Sequence, residues 1–277
     1  MTAEAEGRDA AEGFRRDHRL GVQPLGDLVT VVEQAAGIDV AVVDVEPDEH
    51  GMTMRDPARG AVFVAVARTP HPMRQRSTLA HELGHVLFGD WVGAGQQDWA
   101  DRTGGEVRAN AFARHLLVPA GGLREFLGDR PAAEQSTLSA VVQRFLVSPA
   151  IAAIALHDAR YVDEAVKNEW MGLTTPVLAA RFGWSDQYRA LQEQSNRTRA
   201  PQRLLARAVQ GYLSNVVSVQ ALANLRGIDP EKVEAELNEA GLVPGQAPIA
   251  WAGSADLPQV DVDLSELDDE NAEEPPG

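Results

Sequence analysis

Two histidines four residues apart, in His81-Glu82-Leu83-Gly84-His85, constrain this chain more tightly than any other feature. At that spacing both imidazoles lie on one face of a helix and can reach one ion. Glu82 follows the first of them directly, close to a water on such an ion without ligating it, which is the position of a general base. The competing reading is a buried helix with two packed histidines. The neighbours weigh against it, because Leu79, Leu83, Val86 and Leu87 form an apolar stripe beside the polar edge of His81, Glu82 and His85. Gly84 lets a second segment approach the helix closely.

The 277 residues include no cysteine, which excludes disulfides, a Cys-ligated zinc finger and a thiol nucleophile. Any metal must then be held by histidine and carboxylate, and catalytic zinc takes three protein ligands with one position open. Glu106 is the choice for the third ligand. It stands 21 residues after His85, past a glycine-rich stretch and in the first turn of the next expected helix. Asn110, one turn later on the same face, can hydrogen-bond a liganding histidine. Asp90, Asp98, Asp101 and His115 compete. A ligand at Asp90 requires the helix to end sharply, and the others lack the pairing of a carboxylate with a same-face amide. Glu106 also has an ordinary reading, as a first-turn acid complementing the helix dipole. The expected chemistry is attack of a metal-activated water on a peptide carbonyl, with Glu82 taking the proton and returning it to the leaving amine. His71, Arg74, Arg76 and His115 are candidate oxyanion donors, each equally readable as a surface or packing residue.

Around the motif, the periodicity of Leu25, Leu28, Val31, Val32 and Ala35 predicts an amphipathic helix ended by Gly37. Ile38–Val43 and Ala61–Val66 read as strands, with a weaker one near Met52–Met54 and turns at Asp48–Gly51 and Asp56-Pro57. Ser77 or Thr78 can cap the motif helix, which should run to about Phe88. Trp91–Gly105, with four glycines, reads as a loop, followed by a helix from about Gly105 to Leu117. Everything from there to Leu242 reads as helical, and no repeat of solenoid length is present.

Hydrophobic residues make up 44% of the chain, ample for a packed core. No apolar run is long enough to span a bilayer and the first residues are polar and acidic, so the expectation is a cytoplasmic protein without membrane contact. The net charge is −16, and nine acidic residues with no basic one lie between Ser254 and Gly277, leaving −7 for the rest. Neither part has the basic excess of a protein that lives on phosphate backbones. Two of the 25 basic residues are lysine, which reads as the coding bias of a GC-rich bacterial genome.

Two stretches resemble helix-turn-helix units: Leu138–Phe145 with Ala150–Asp158, and Val219–Arg226 with Glu231–Ala240. Their second helices argue against DNA reading, since the first has no basic side chain except His157 and the second sets four glutamates against Lys232. His157 reads as a packed or surface residue. Trp170, Phe182, Trp184 and Tyr188 read as helix-packing core. The alternation Val260-Asp261-Val262-Asp263-Leu264 suits either a strand added to a partner's sheet edge or a solvated tail.

Three segments together resemble the ImmA/IrrE family of zinc metallopeptidases: Arg76-Ser77-Thr78-Leu79-Ala80-His81-Glu82-Leu83-Gly84-His85, then Glu106-Val107-Arg108-Ala109-Asn110-Ala111-Phe112-Ala113, then Leu116-Leu117-Val118-Pro119. Arg74 and Arg76 keep the family's spaced arginines, while Ser77 stands where phenylalanine is usual. The resemblance covers about residues 20 to 165. It implies that His81, His85 and Glu106 bind Zn2+, that Glu82 is the catalytic acid and base, and that the substrate is a helix-turn-helix repressor whose cleavage relieves repression. The expected fold class is α+β. A flexible leader (1–19) precedes a small zincin-like metallopeptidase domain (20–130), a helical region with helix-turn-helix-like units (131–244) and an acidic disordered tail (245–277). The alternative is a zinc-containing binding module that relieves repression by docking, without turnover.

Overall fold

The computed structural model describes residues 2–45, 51–56, 58, 60–90, 99–128 and 134–245, with the backbone alone at 99–103. The expected turn around Asp48 and the acidic tail with its Val-Asp alternation lie outside the described residues. In chain order come α1 (Ala3–Asp17) and α2 (Leu28–Val31), which runs into a π-helical turn (Val32–Ala36). Strands β1 (Asp39–Val43), β2 (Gly51–Arg55) and β3 (Val62–Ala67) follow, then α3 (Pro72–Phe88), α4 (Trp99–Leu117) and α5 (Ala120–Leu127). The remainder is helical: α6 (Gln135–Phe145), α7 (Pro149–Asp158), α8 (Glu164–Met171), α9 (Thr175–Arg181), α10 (Ser185–Ser195), α11 (Gln202–Leu213), α12 (Val219–Arg226) and α13 (Pro230–Glu239). The fold is α+β, as expected. No single helix among the described residues is long and apolar enough to cross a membrane.

The β-branched runs form the sheet, in the order β1-β3-β2 with β1 parallel and β2 antiparallel to β3. Val40 and Val42 stand in register with Val64 and Val66, and all four are buried. β2 is an edge strand, and its Met52 and Met54 are exposed. Gly37, at φ 65°, ends the helical entry to β1, a conformation open to glycine at little cost. α3 begins at Pro72, earlier than a cap at Ser77 or Thr78 would place it. Proline at the first helical position supplies the required φ and gives up an amide that has no intrahelical partner there.

Among the described residues of the expected flexible leader (1–19), Ala3–Asp17 form a packed helix. Gly7, Ala11 and Phe14 make one buried stripe along α1, packed on α4. A β-carbon on Gly7 would lie 2.3 Å from the Arg108 carbonyl oxygen, so the two helix backbones touch. Buried Arg15 donates to the Leu116 carbonyl at 2.8 and 2.6 Å, and to the Gly21 and Gln23 carbonyls. A guanidinium at the C-terminal end of α4 satisfies carbonyls that the helix leaves unpaired. Burial pushes its pKa down to about 10.

The predicted loop up to Gly105 is also shorter than expected, because α4 starts at Trp99 and takes Gly104 and Gly105 into the helix. A β-carbon on Gly105 would stand 3.3 Å from Asp90 Oδ2, so its absence lets that carboxylate sit against the helix. Packing does not divide near residue 130. One apolar cluster runs from Ala11 to Tyr188 and takes in Trp170 and Trp184, whereas Phe182, 38% exposed, stays outside it. A second cluster joins α11, α12 and α13. Between them Arg199 exchanges backbone hydrogen bonds with Val42 at 2.8 and 2.9 Å, fastening the C-terminal helices to β1.

A pair of substitutions tests the α1–α4 contact. Gly13→Ala removes a helical glycine where the new methyl meets only the tip of Arg16, and should stabilise by about 0.5 kcal/mol. Gly7→Ala drives a methyl into backbone and should destabilise by about 1–3 kcal/mol. Urea titration followed by circular dichroism distinguishes the two.

Candidate metal centre

α3 carries His81, Glu82 and His85 on consecutive turns, with Leu79, Ala80 and Leu83 buried behind them. Leu87, expected in the apolar stripe, is 44% exposed and belongs to the rim instead. The imidazole Nε2 atoms of His81 and His85 stand 2.9 Å apart with the rings nearly perpendicular. α4 crosses α3 at Gly84, where an added β-carbon would lie 3.1 Å from the Ala109 α-carbon and 3.2 Å from the Phe112 ring. This close crossing brings Glu106 over the histidines. Its Oε2 is 3.3 Å from His81 Nε2 and its Oε1 is 3.4 Å from His85 Nε2.

These three side chains offer one ligand atom each within a single small sphere. Tetrahedral coordination with bonds of about 2.0–2.1 Å separates ligand atoms by roughly 3.3 Å, so the glutamate–histidine spacings fit a divalent first-row ion. The Glu106 side chain is 59% exposed while those of His81 and His85 are 20% and 15% exposed. Among the described residues the site is thus closed on the α3 side and more exposed on the Glu106 side.

Both imidazoles are held from behind. His81 Nδ1 donates to Asn110 Oδ1 at 3.0 Å, which frees Nε2 as the ligand atom. His85 Nδ1 faces Asp90 Oδ2 at 3.4 Å, and Asp90 is ion-paired with Arg108. Arg108 in turn lies over the Phe88 ring. Asp90, one of the competing ligand candidates, therefore orients His85, and α3 ends sharply at Gly89 (φ 71°) to put it there.

Glu82 sits beside the triad without joining it. Its Oε2 accepts a 2.7 Å hydrogen bond from the Thr53 hydroxyl on β2. A β-carbon on Gly51 would come within 2.8 Å of Glu82 Oε1, so the edge strand passes tightly against this carboxylate. Sequence reasoning missed Thr53 and Gly51, since nothing local marks a strand that becomes functional by facing a helix 29 residues later.

The other candidates go elsewhere. His115 lies with Glu4 and Asp158 in a second group of possible metal ligands, but the Arg114 guanidinium is ion-paired with both acids and supplies the cation itself. Burial, then the Arg114 charge, lowers the His115 pKa, in spite of Glu4. Arg76 donates to the Leu25, Gly26 and Leu146 carbonyls rather than to the metal centre. His71 and Arg74 precede His81 by two to three helical turns, about 10–15 Å along the axis. Asp98 and the side chain of Asp101 lie outside the described residues. His157 pairs with Glu164 at the surface.

Residues 34–157 match the family model of the IrrE N-terminal-like domain, the M78 peptidases of the ImmA/IrrE family. The match supports a metallopeptidase-type function. A search of curated proteins found no match.

Three substitutions probe the centre through metal content. Glu106→Ala should strip the purified protein of metal, read by elemental analysis. Asn110→Ala and Asp90→Ala should keep the fold and weaken added zinc about 10- to 100-fold, read by competition with a chromophoric chelator. Undiminished metal in Glu106→Ala would remove that residue from the ligand set.

Proposed function

We propose that the chain is a zinc-dependent endopeptidase whose substrate is a helix-turn-helix transcriptional repressor, cut to relieve repression. The observation that carries the peptidase reading is the carboxylate of Glu82, held by Thr53 beside three side chains able to share one ion. A zinc ion held by His81, His85 and Glu106 would supply a Lewis acid that acidifies water and polarises a carbonyl. Glu82 Oε1, not engaged by Thr53, then accepts the proton from the attacking water and hands it to the departing amine. The Thr53 hydrogen bond keeps the carboxylate from rotating away. Asn110 and Asp90 hold the imidazole rings in the orientation that directs both Nε2 atoms to one point.

The repressor part of the proposal rests on the likeness of the two metal motifs to the ImmA/IrrE pattern. The helical half is compatible with docking rather than DNA reading. Glu231, Glu234, Glu236 and Glu239 face solvent on α13, and α7 is buried at Ala152, Ala153 and Leu156.

Incubation of the zinc-loaded protein with helix-turn-helix repressors from its own genome should cut one of them into two fragments, located by mass spectrometry. Glu82→Gln should retain metal and lose about 10²- to 10⁴-fold in rate. Thr53→Val, which removes one hydrogen bond to a charged group, should lose about 10- to 100-fold in kcat/KM. Relief of repression that survives in Glu82→Gln would replace cleavage with docking, the activity of a zinc-containing binding module.

A further inference from the structure

A cavity of about 350 Å³ lies away from the metal centre, between α2, the first turns of α3 and the segment 194–199. Its wall is aliphatic along Leu28, Val29, Leu79, Leu146 and Leu191. Four charged side chains also line it, and three of them are arginines. Asp27 and Arg199 satisfy each other at 2.7 Å. Arg76 spends three of its five N–H groups on neutral carbonyls, at Leu25 (2.6 Å), Gly26 (2.5 Å) and Leu146 (3.2 Å). No carboxylate among the described residues stands at ion-pair distance from it. The Arg197 guanidinium has no hydrogen bond or ion pair among the described residues. The cavity therefore presents two guanidinium groups that no carboxylate among the described residues touches, since Asp27, the acid whose charge reaches Arg76, is itself ion-paired with Arg199.

Its backbone is unusual as well. Leu146, whose carbonyl accepts from Arg76 and whose side chain lines the cavity, has φ 54° and ψ 50°. A branched residue in the left-handed region stores strain of order 1–3 kcal/mol, and such strain persists only where the surroundings impose it. A concave apolar wall with a few convergent polar groups is the ordinary form of a small-molecule site.

We propose that this cavity binds a short aliphatic monocarboxylate, its carboxylate received by Arg197 and the spare donors of Arg76 and its hydrocarbon end by the leucine wall. Two guanidinium groups match an anion, the leucines match an alkyl chain, and a cation or a neutral polar solute matches neither half. Arg76 and Leu79 belong to α3, so an occupant lies on the same rigid helix as His81, Glu82 and His85. Binding in this cavity needs neither the metal nor peptidase activity.

Isothermal titration of the full chain with hexanoate, hexylamine and hexan-1-ol tests it. Hexanoate should bind with one saturable site and raise the melting temperature, and the other two should not bind at the same concentrations. Arg197→Gln changes an exposed side chain, so folding is not at stake, and should weaken hexanoate at least tenfold. Leu191→Trp, which fills the cavity, should abolish binding with an unchanged circular dichroism spectrum. Failure of hexanoate to bind wild type at millimolar concentration, equal binding of hexan-1-ol, or undiminished affinity in Arg197→Gln would each overturn the proposal.

Discussion

The close approach of α3 and α4 at Gly84 is the contact on which the rest of the metal centre depends. Two helices with ordinary side chains at the crossing pack about 8–10 Å apart. A residue larger than glycine here would push against the Ala109 backbone and the Phe112 ring and lift Glu106 away from the histidines. A shift of half an ångström matters to a ligand set, because coordination tolerates only small departures in distance. The other supports follow from the same crossing: Asn110 reaches His81, and Arg108 reaches Asp90 behind His85, only because α4 runs this close.

Pressure from the opposite side keeps the crossing closed. α1 lies against α4 through Gly7, so α4 is held between two helices by two glycines on its neighbours. Phe112 fills the space between, with Phe14 and Phe88 edge-on to it. Neither α1 nor the buried side chains of Trp170, Leu178, Trp184 and Tyr188 fall inside residues 34–157, yet all share the one apolar core. The stretch that matches the family model thus relies on flanking helices at both ends to bury its surface.

The legible parts of the fold were those written in local periodicity. β-branched runs at 38–43 and 61–66 marked β1 and β3, and the four-residue spacing of His81 and His85 marked a helix with a functional edge. Glu106 and Asn110 could be paired from sequence because both lie on one helix face. What escaped depended on contacts distant in sequence or on small residues. The stripe of α1 is glycine, alanine and a single phenylalanine, too weakly apolar to stand out among its charged neighbours. Glycines 104 and 105 suggested a loop, because the close fit of Gly105 against Asp90 exists only after folding. Asp90 looked like a rival ligand, and its role behind His85 needs the turn at Gly89 and the partner Arg108. Thr53 lies on a weak edge strand and gains meaning only when Glu82 faces it.

The α1–α4 contact spans 101 residues, from Arg15 to Leu116. A ribosome adding about 5–20 residues per second makes α1 first and leaves it without its partner for roughly 5–20 s. During that interval a strongly apolar helix would collapse onto the wrong surface or seek another chain. A face of Gly7, Ala11 and Phe14 among acids and arginines does neither. The muted polarity pattern that hides α1 from a reading of its residues is also what allows it to wait in water until α4 arrives.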